Sequence, residues 1–586
     1  MKNRKNYIYL LALMVGLILF SCDEDRLVPK PKSFFTPENV YTDAEGFESI
    51  LITLRKNIKE ENTGSINWIA MEFAASDLGS PWSQLDFFNL TPSTSQYYPY
   101  LSMFTEVYEF IKNANVVISR IDDIEWESEA EKNKILAEAL WHRSYWYYRL
   151  VHTYGDVPFV GSEVQEVKLD FQTHSRTAIL NKLQSDLEFA EQWLPESTPI
   201  GEVSKYAALH LLAKVYLADK EFDKAIATAT EVINGPFELM TERFGIDVSD
   251  PKRNLLWDLH RPDNVNDPQN KETIMSMIDR YEAPPGAKSS GLYTLRLYNC
   301  QWMQSQVRDS EGKPGMVAAG PQYDSLGRGN ANVRVTASYQ YHIWNYKGET
   351  WRNTSDLRRA DINWMDIDEF IYNNPESVDY GKPVNSDYFA QALDTFKHLY
   401  AIPYYILYHP TQDAGATPVG GNGDWYIYRL AETYLIRAEA YFWKNDLAMA
   451  AEDINAIRTR ANAIPVTAAE VDIDFIFDER ARELFAEEPR HSELVRASYI
   501  QAELGLNGYS EASFDTKNYY FDRVMAYNKT YEQKIELLGN EANMAPFHIL
   551  WPIPDRIITA NTLAVINQNK GYDGADRNVP PLETIE

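Results

Sequence analysis

Two stretches, Ala213-Lys-Val-Tyr216-Leu-Ala-Asp-Lys-Glu-Phe222-Asp-Lys-Ala225 and Ala438-Glu-Ala-Tyr441-Phe-Trp-Lys-Asn-Asp-Leu447-Ala-Met-Ala450, superpose at an offset of 225 residues. In each, a small alanine lets two helices approach, an aromatic ring fills the gap between them, and three polar residues make the turn, which predicts a helix–turn–helix hairpin of tetratricopeptide type. The copies are far apart in the chain, so the pattern describes a helical scaffold carrying long insertions. Upstream, Leu136, Leu140, Arg143, Tyr147, Leu150 and Tyr154 follow at spacings of three and four, which puts them on one helix face. Gly155-Asp156-Val157-Pro158 then predicts the helix end. Arg143 sits on that apolar stripe, where a charge is costly unless satisfied, and a structural ion pair is the expected answer.

Helical periodicity runs from Phe47 to about Ile233, again from Tyr426 to Ala463, and returns from Phe475 to Val495. Between Pro236 and Trp425, Pro284-Pro285-Gly286 and Gly420-Gly421-Asn422-Gly423 punctuate a region expected to hold loops, short strands and a few helices. The fold class is therefore mainly α: a tetratricopeptide-like helix-pair scaffold with long loop-rich insertions containing a few short strands. The organisation reads as residues 22–46 a tether, 47–235 an N-terminal helical scaffold, 236–425 an inserted region on the ligand side, and 426–586 a C-terminal helical part with a loop-rich end.

The 586 residues carry 56 Lys and Arg against 85 Asp and Glu, a formal charge of −29. This argues against a nucleic-acid partner, which needs a basic face. The cysteines are Cys22 and Cys300, too few for a disulfide framework or a Cys-rich metal centre. Residues 1–21 read as an export signal, with Lys2, Arg4 and Lys5 before an apolar run from Ile8 to Phe20 that is too short to span a bilayer. Leu19-Phe20-Ser21-Cys22 resembles a bacterial lipoprotein box, in which Cys22 would be acylated; the alternative is an ordinary secretory leader with a chance cysteine. With Cys22 lipidated, Cys300 is left as a buried or half-buried free thiol. Asp472, Asp474 and Asp478 lack the glycine of a calcium loop and read as a solvated helix start.

Ordered motifs identify a resemblance to the SusD/RagB family of surface nutrient-binding lipoproteins. They include Asn113 to Ile118, Tyr154 to Pro158, Arg429 to Glu432, Asp453 to Ala461, Glu479 to Leu484 with Arg490, Pro552 to Pro554, and Gln568 to Tyr572. Glu202 and Pro489 depart from the usual pattern. The resemblance implies an outer-membrane, cell-surface protein that caps a TonB-dependent (SusC-like) transporter and delivers oligosaccharides or other oligomeric nutrients. It implies no cofactor and repeat motifs that are mostly structural or transporter-facing.

A glycan site needs exposed aromatic platforms with polar partners for hydroxyls. Pro81 to Tyr100 holds Trp82, Phe87, Phe88, Tyr97, Tyr98 and Tyr100, six aromatics where the 13% average gives two or three, with Asp77 among the polar candidates. Tyr339, Tyr341, Trp344, Tyr346 and Trp351 form a second cluster with the alternation of a strand, and Trp302 is a further candidate. Loss of the Trp82 or the Trp344 ring is expected to weaken glycan binding without unfolding the chain. No zincin, nucleophile-elbow, Walker or dinucleotide motif is present, so the chain reads as a binding protein with no catalytic or metal residues. A surface glycosidase needs only two carboxylates and remains the alternative, as does a transporter lid with little ligand affinity.

Overall fold

The computed structural model describes residues 41–81, 90–93, 99–389, 399–413, 415–534, 536–537 and 540–585. The export signal, Cys22 and most of the tether lie outside the described residues, as do Trp82, Phe87, Phe88, Tyr97 and Tyr98. Twelve helices of seven residues or more build the scaffold among the described residues: α1 (Ala44–Asn57), α2 (Trp68–Ala74), α3 (Pro99–Arg120), α4 (Glu129–Tyr154), α5 (Arg176–Trp193), α6 (Lys205–Ala218), α7 (Phe222–Ile233), α8 (Leu430–Trp443), α9 (Leu447–Arg460), α10 (Ile473–Glu483), α11 (Arg490–Glu503) and α12 (Tyr519–Tyr527). Their starts follow capping chemistry: Ser128, Ser175 and Ser204 each accept from a backbone N–H three residues on, which satisfies an otherwise orphaned donor. No helix among the described residues is long and apolar enough to cross a membrane.

The offset repeat is α6–α7 and α8–α9. Both turns place a non-glycine residue in the left-handed region at the same repeat position, Lys220 at φ 65° and Asn445 at φ 61°. Both are closed by the same backbone bond, Glu221 N–H to Tyr216 O and Asp446 N–H to Tyr441 O, each 2.9 Å. From α3 to α9 each helix packs on the next, and α7 packs on α8 across the whole intervening insertion. The chain thus leaves the stack at Asn234 and resumes it at Leu430. The resumption is fixed by β-pairing: Thr273–Met277 runs antiparallel to Trp425–Arg429, the strand that leads directly into α8.

Helix α4 is buried on every side from Ala137 to Tyr154, being packed by α1, α3, α5 and α11, so the apolar stripe was only part of its buried surface. Arg143 donates to Asp186 at 2.5 Å, Asn115 at 3.2 Å and the Gly161 carbonyl at 2.8 Å, the expected structural ion pair. Gly155, at φ 69°, ends the helix. Cys300 is a buried free thiol, and burial pushes its pKa up to about 12.

Three local expectations are corrected. The run Phe475 to Val495 is not one helix: α10 ends at Glu483 and α11 begins at Arg490, since Pro489 cannot sit inside a helix and Ala486 turns left-handed at φ 60°. Residues 339–351 are not a strand. Thr336 caps a short helix, Ala337–Gln340, a 3₁₀ turn follows at His342–Trp344, and Lys347 and Gly348 with positive φ fold Tyr346 back onto Glu349. Asp472 caps α10 and Asp474 is 47% exposed, as a solvated helix start requires, but Asp478 is mostly buried, and Arg523 donates to Asp474 and Asp478 at 2.7 and 2.6 Å.

The motif charges of the C-terminal half form a buried ionic lattice. Arg429 contacts Glu272, Glu483 and Glu487 at 2.9, 2.6 and 2.9 Å, and Arg358 reaches Asp356, Glu479 and Glu483 at 2.7, 2.9 and 3.0 Å. Arg460 also pairs with Glu272 and Glu483. Burial alone would raise Glu483, but Arg460, Arg429 and Arg358 more than offset it and hold the carboxyl at about 2. These residues tie the insertion, through Glu272 and Arg358, to α8, α9 and α10.

Candidate functional site

The ladder between Gly79–Pro81 and Val333–Val335 joins the start of one aromatic-rich stretch to the strand that precedes the other. Pro81 faces Val333, Thr336 N–H donates to Leu78 O at 2.8 Å, and the Thr336 hydroxyl donates to Asp77 O at 3.2 Å. The pairing is antiparallel, so Pro81 lies at the Val333 end of the ladder, whereas the chain runs on into Ala337 from the Val335 end, beside Leu78 and Gly79. Neither separation in sequence nor composition reveals this pairing.

The predicted site residues divide by burial. Asp77 is fully buried and accepts from Arg490 at 2.9 and 2.8 Å and from Arg523 at 2.7 Å. Burial raises its pKa, but the two guanidiniums outweigh that and hold it at about 2. It clamps Arg490 and Arg523 together and is not open to a sugar. Tyr339, Trp344 and Trp302 are likewise buried. Tyr339 stacks on Phe485 at 4.5 Å, Trp344 and Trp364 pack edge to face at 5.9 Å, and the Trp344 indole donates to Tyr339 O at 2.7 Å. Trp302 donates to Gly327 O at 3.2 Å beneath Tyr323. A buried ring offers no face to ligand, so Tyr339, Trp344 and Trp302 are corrected from platforms to core residues and Asp77 to a buried clamp, and the expectation that Trp344 can be removed without unfolding the chain falls with them. Tyr346 is partly exposed but packs elsewhere, against Phe475 at 5.7 Å and under Arg458 at 4.9 Å.

Tyr341 and Trp351 are the members of the second cluster that form a surface. Both are half-buried, with ring centroids 4.8 Å apart at 51°, so they present a bent aromatic wall. Arg359 lies 4.8 Å from the Trp351 ring and is fixed by Asp366 at 2.7 Å. Arg352 lies 4.1 Å from the same ring, but its side chain is 62% exposed and held only by a 3.6 Å pair to exposed Asp368, so displacing it costs little. Asp361, Asp366 and Glu369 bring carboxylate oxygens within 4.8 Å of one another, the spacing of a possible metal site among the described residues. Glu369 also accepts from Asp366 N–H at 2.6 Å, and burial together with Asp361 and Asp366 holds it above the usual carboxylate range. Because Arg359 already neutralises Asp366, the group offers acceptors beside the rings without demanding a cation. Aromatic wall, guanidinium and carboxylates supply what a saccharide presents surfaces for: C–H faces, hydroxyl acceptors and hydroxyl donors.

Sequence reasoning missed Tyr380 and Tyr388. At 58% and 41% exposure they are the most exposed aromatic side chains among the described residues. Tyr380 lies on a hairpin in which Tyr372 N–H donates to Lys382 O and Gly381 N–H donates to Tyr372 O, both 2.9 Å, and Tyr388 ends the 3₁₀ turn Ser386–Tyr388 that follows it. The available signal was the turn punctuation Tyr380-Gly381-Lys382-Pro383, between aromatic residues inside the insertion.

Comparison with known proteins gives two family matches in chain order: "Starch-binding associating with outer membrane" over residues 41–217 and "SusD family" over residues 297–572. The chain belongs to the SusD/RagB family. A SusD-like protein of Formosa agariphila is 24% identical over 493 residues, covering 80% of this chain and 79% of the relative. The starch-binding protein SusD of Bacteroides thetaiotaomicron is 24% identical over 468 residues, covering 77% of this chain and 75% of that protein. Among solved structures, a laminarin-binding SusD-like protein superposes with a TM-score of 0.61 at 18% identity, covering 91% of this chain and all of that one. A surface glycan-binding protein of Bacteroides uniformis gives 0.60 at 18%, covering 90% and 99%. At these identities the superpositions establish the shared SusD-like helical fold. Of the motif residues, Arg429, Glu479 and Glu483 belong to the buried ionic lattice and Arg490 to the Asp77 clamp.

Proposed function

We propose that this protein is a cell-surface glycan-binding lipoprotein, anchored through acylated Cys22 in the outer membrane, that captures an oligosaccharide and passes it to a TonB-dependent transporter. The observation that carries the reading is the half-exposed Tyr341–Trp351 wall with its Arg352 and carboxylate partners. Relatives named for binding starch and laminarin support carbohydrate as the ligand class and binding, not hydrolysis, as the activity. The family description "associating with outer membrane" supports the location. In this reading Trp82, Phe87, Phe88, Tyr97 and Tyr98, which lie outside the described residues, are further candidate ligand contacts.

The test is native affinity electrophoresis of the chain from residue 23 onward in gels containing starch, laminarin or other polysaccharides. The proposal expects retarded migration in at least one gel with no new reducing ends after prolonged incubation. Reducing ends that accumulate at nanomolar protein would establish a glycosidase, and unretarded migration throughout would favour a transporter lid. For the anchor, Cys22→Ser should release the expressed protein from the membrane fraction; its retention there would refute lipid tethering.

A further inference from the structure

The chain enters the described fold at Tyr41, which packs on Phe47 at 5.6 Å and against the cluster that holds Val117 and Ile121 of α3. Its hydroxyl lies within electrostatic reach of the Arg120–Glu163 ion pair, closed at 2.6 Å: burial is the main cause that raises its pKa, Arg120 lowers it and Glu163 raises it. Tyr41 therefore marks where residues 22–40 meet the fold, beside the loop 159–171 that follows α4.

That loop surrounds an open cavity of about 590 Å³, within the roughly 300–1,000 Å³ of ligand-sized sites. Both of its ends are pinned. Asn115 donates to Val160 O at 2.7 Å, Glu163 N–H donates to Ser119 Oγ at 2.8 Å, Phe171 exchanges two 2.9 Å bonds with Asn561, and Leu563 N–H donates to Leu169 O at 2.8 Å. The concavity is thus preformed, and filling it requires little ordering of the loop. Yet Val164, Val167 and Leu563 line it at 40%, 88% and 75% exposure. Single exposed aliphatic residues are ordinary, but three around one concavity mark a contact surface. Glu163, Glu166 and Asp170 outnumber Lys168 in the lining, and Glu166 makes no ion pair among the described residues.

The tether carries the complement. Phe34 and Phe35 are adjacent rings between Pro29 and Asn39, a stretch otherwise made of proline and polar residues, and a plain spacer has no use for them. Phe35 lies six positions before Tyr41, a reach of up to about 20 Å. From residue 26 to residue 40 the cations Arg26, Lys30 and Lys32 stand against one anion, Glu38, the reverse of the loop's balance in a chain of formal charge −29. Attachment to the same chain keeps the local concentration of these rings high at the loop. We propose that the loop 159–171 is the docking site of the chain's own tether, with Phe34 and Phe35 seated against Val164, Val167 and Leu563 and with Lys30 and Lys32 beside Glu166. Docking leaves residues 22–29 as the spacer, at most about 30 Å long, and turns this end of the body toward its anchor. The docking stands on the chain alone; only that orientation rests on the acylation of Cys22 proposed above.

The experiment is limited trypsin digestion of the chain from residue 23 onward, which lacks the acylated cysteine, with two cuts followed by mass spectrometry: Lys32–Ser33, next to the rings, and Arg26–Leu27, outside the docked stretch. Three proteins are compared: wild type, Val167→Asp/Leu563→Asp, whose tether is untouched, and Phe34→Ser/Phe35→Ser, whose loop is untouched. Val167 and Leu563 are exposed, so the loop variant should fold, and unchanged melting would verify it. The expected result is a Lys32–Ser33 cut, relative to Arg26–Leu27, at least tenfold faster in both variants than in wild type and independent of protein concentration. Equal relative rates in all three proteins would overturn the docking. Acceleration in the ring variant alone would place the rings elsewhere and overturn the loop as their site. Protection that grows with protein concentration would make the occupant the tether of a second copy, and the intramolecular assignment would be wrong.

Discussion

The lattice around Glu483 and the wall at Trp351 are built from the same residue types, arginine, carboxylate and aromatic ring, and do opposite things with them. In the lattice every charge is shared among protein partners: Arg429, Arg358 and Arg460 all contact Glu483. Around Trp351, Arg352 is 62% exposed, and the ring and the nearby carboxylates retain unused surface. The chemical type of a residue therefore does not distinguish scaffold from site here. Saturation by the rest of the protein does.

The largest effect should come from breaking a saturated pair. Asp77→Ala leaves Arg490 and Arg523 without a shared buried counter-charge and is expected to cost about 3–5 kcal/mol, read as a fall in the urea midpoint at constant slope. A change under 1 kcal/mol would show that Asp77 is not the clamp described. Trp344→Ala should cost a similar amount, about 3–5 kcal/mol, through the cavity it leaves, whereas Trp351→Ala should change stability by less than about 1.5 kcal/mol, being half-exposed. Equal melting losses for the two tryptophans would erase the distinction between core and wall.

Acid should also separate the regions. Asp77 and Glu483 have folded pKa values of about 2, below their ordinary values, so the stability they contribute is fully present above about pH 4.5 and is lost as pH falls toward 2. Unfolding free energy measured from pH 6 to pH 2 should be flat at first and then decline through that window; a decline already complete at pH 5 would contradict the assignment. The smallest effect concerns Cys300. A buried thiol with its pKa at about 12 should react with a disulfide reagent at pH 8 only after denaturant is added, and rapid labelling of the native chain would place it at the surface.

Much of the scaffold was legible in the sequence because helix pairs leave periodic marks. The alanine–aromatic–turn pattern located α6–α7 and α8–α9, though not the left-handed residues Lys220 and Asn445 that close their turns. Gly155 and the charge of Arg143 were likewise readable, since each reports a local cost that the chain must meet. The site was less legible because burial in loops has no period. Tyr339, Tyr341 and Trp344 alternate like a strand, yet Thr336 caps a helix there and the rings divide between core and surface according to long-range packing on Phe485 and Trp364. Asp77 looked like a polar neighbour of exposed rings, and only Arg490 and Arg523, more than 400 residues away, reveal it as a clamp. Tyr380 and Tyr388 escaped notice because two rings eight residues apart form no composition peak.

The most direct test of the Tyr341–Trp351 wall is the glycan affinity of Tyr341→Ala/Trp351→Ala, measured by titration with an oligosaccharide that wild type binds and paired with a melting curve for each protein. The account predicts at least a tenfold loss of affinity at that site with a melting temperature within a few degrees of wild type. Unchanged affinity in a folded double variant would contradict it.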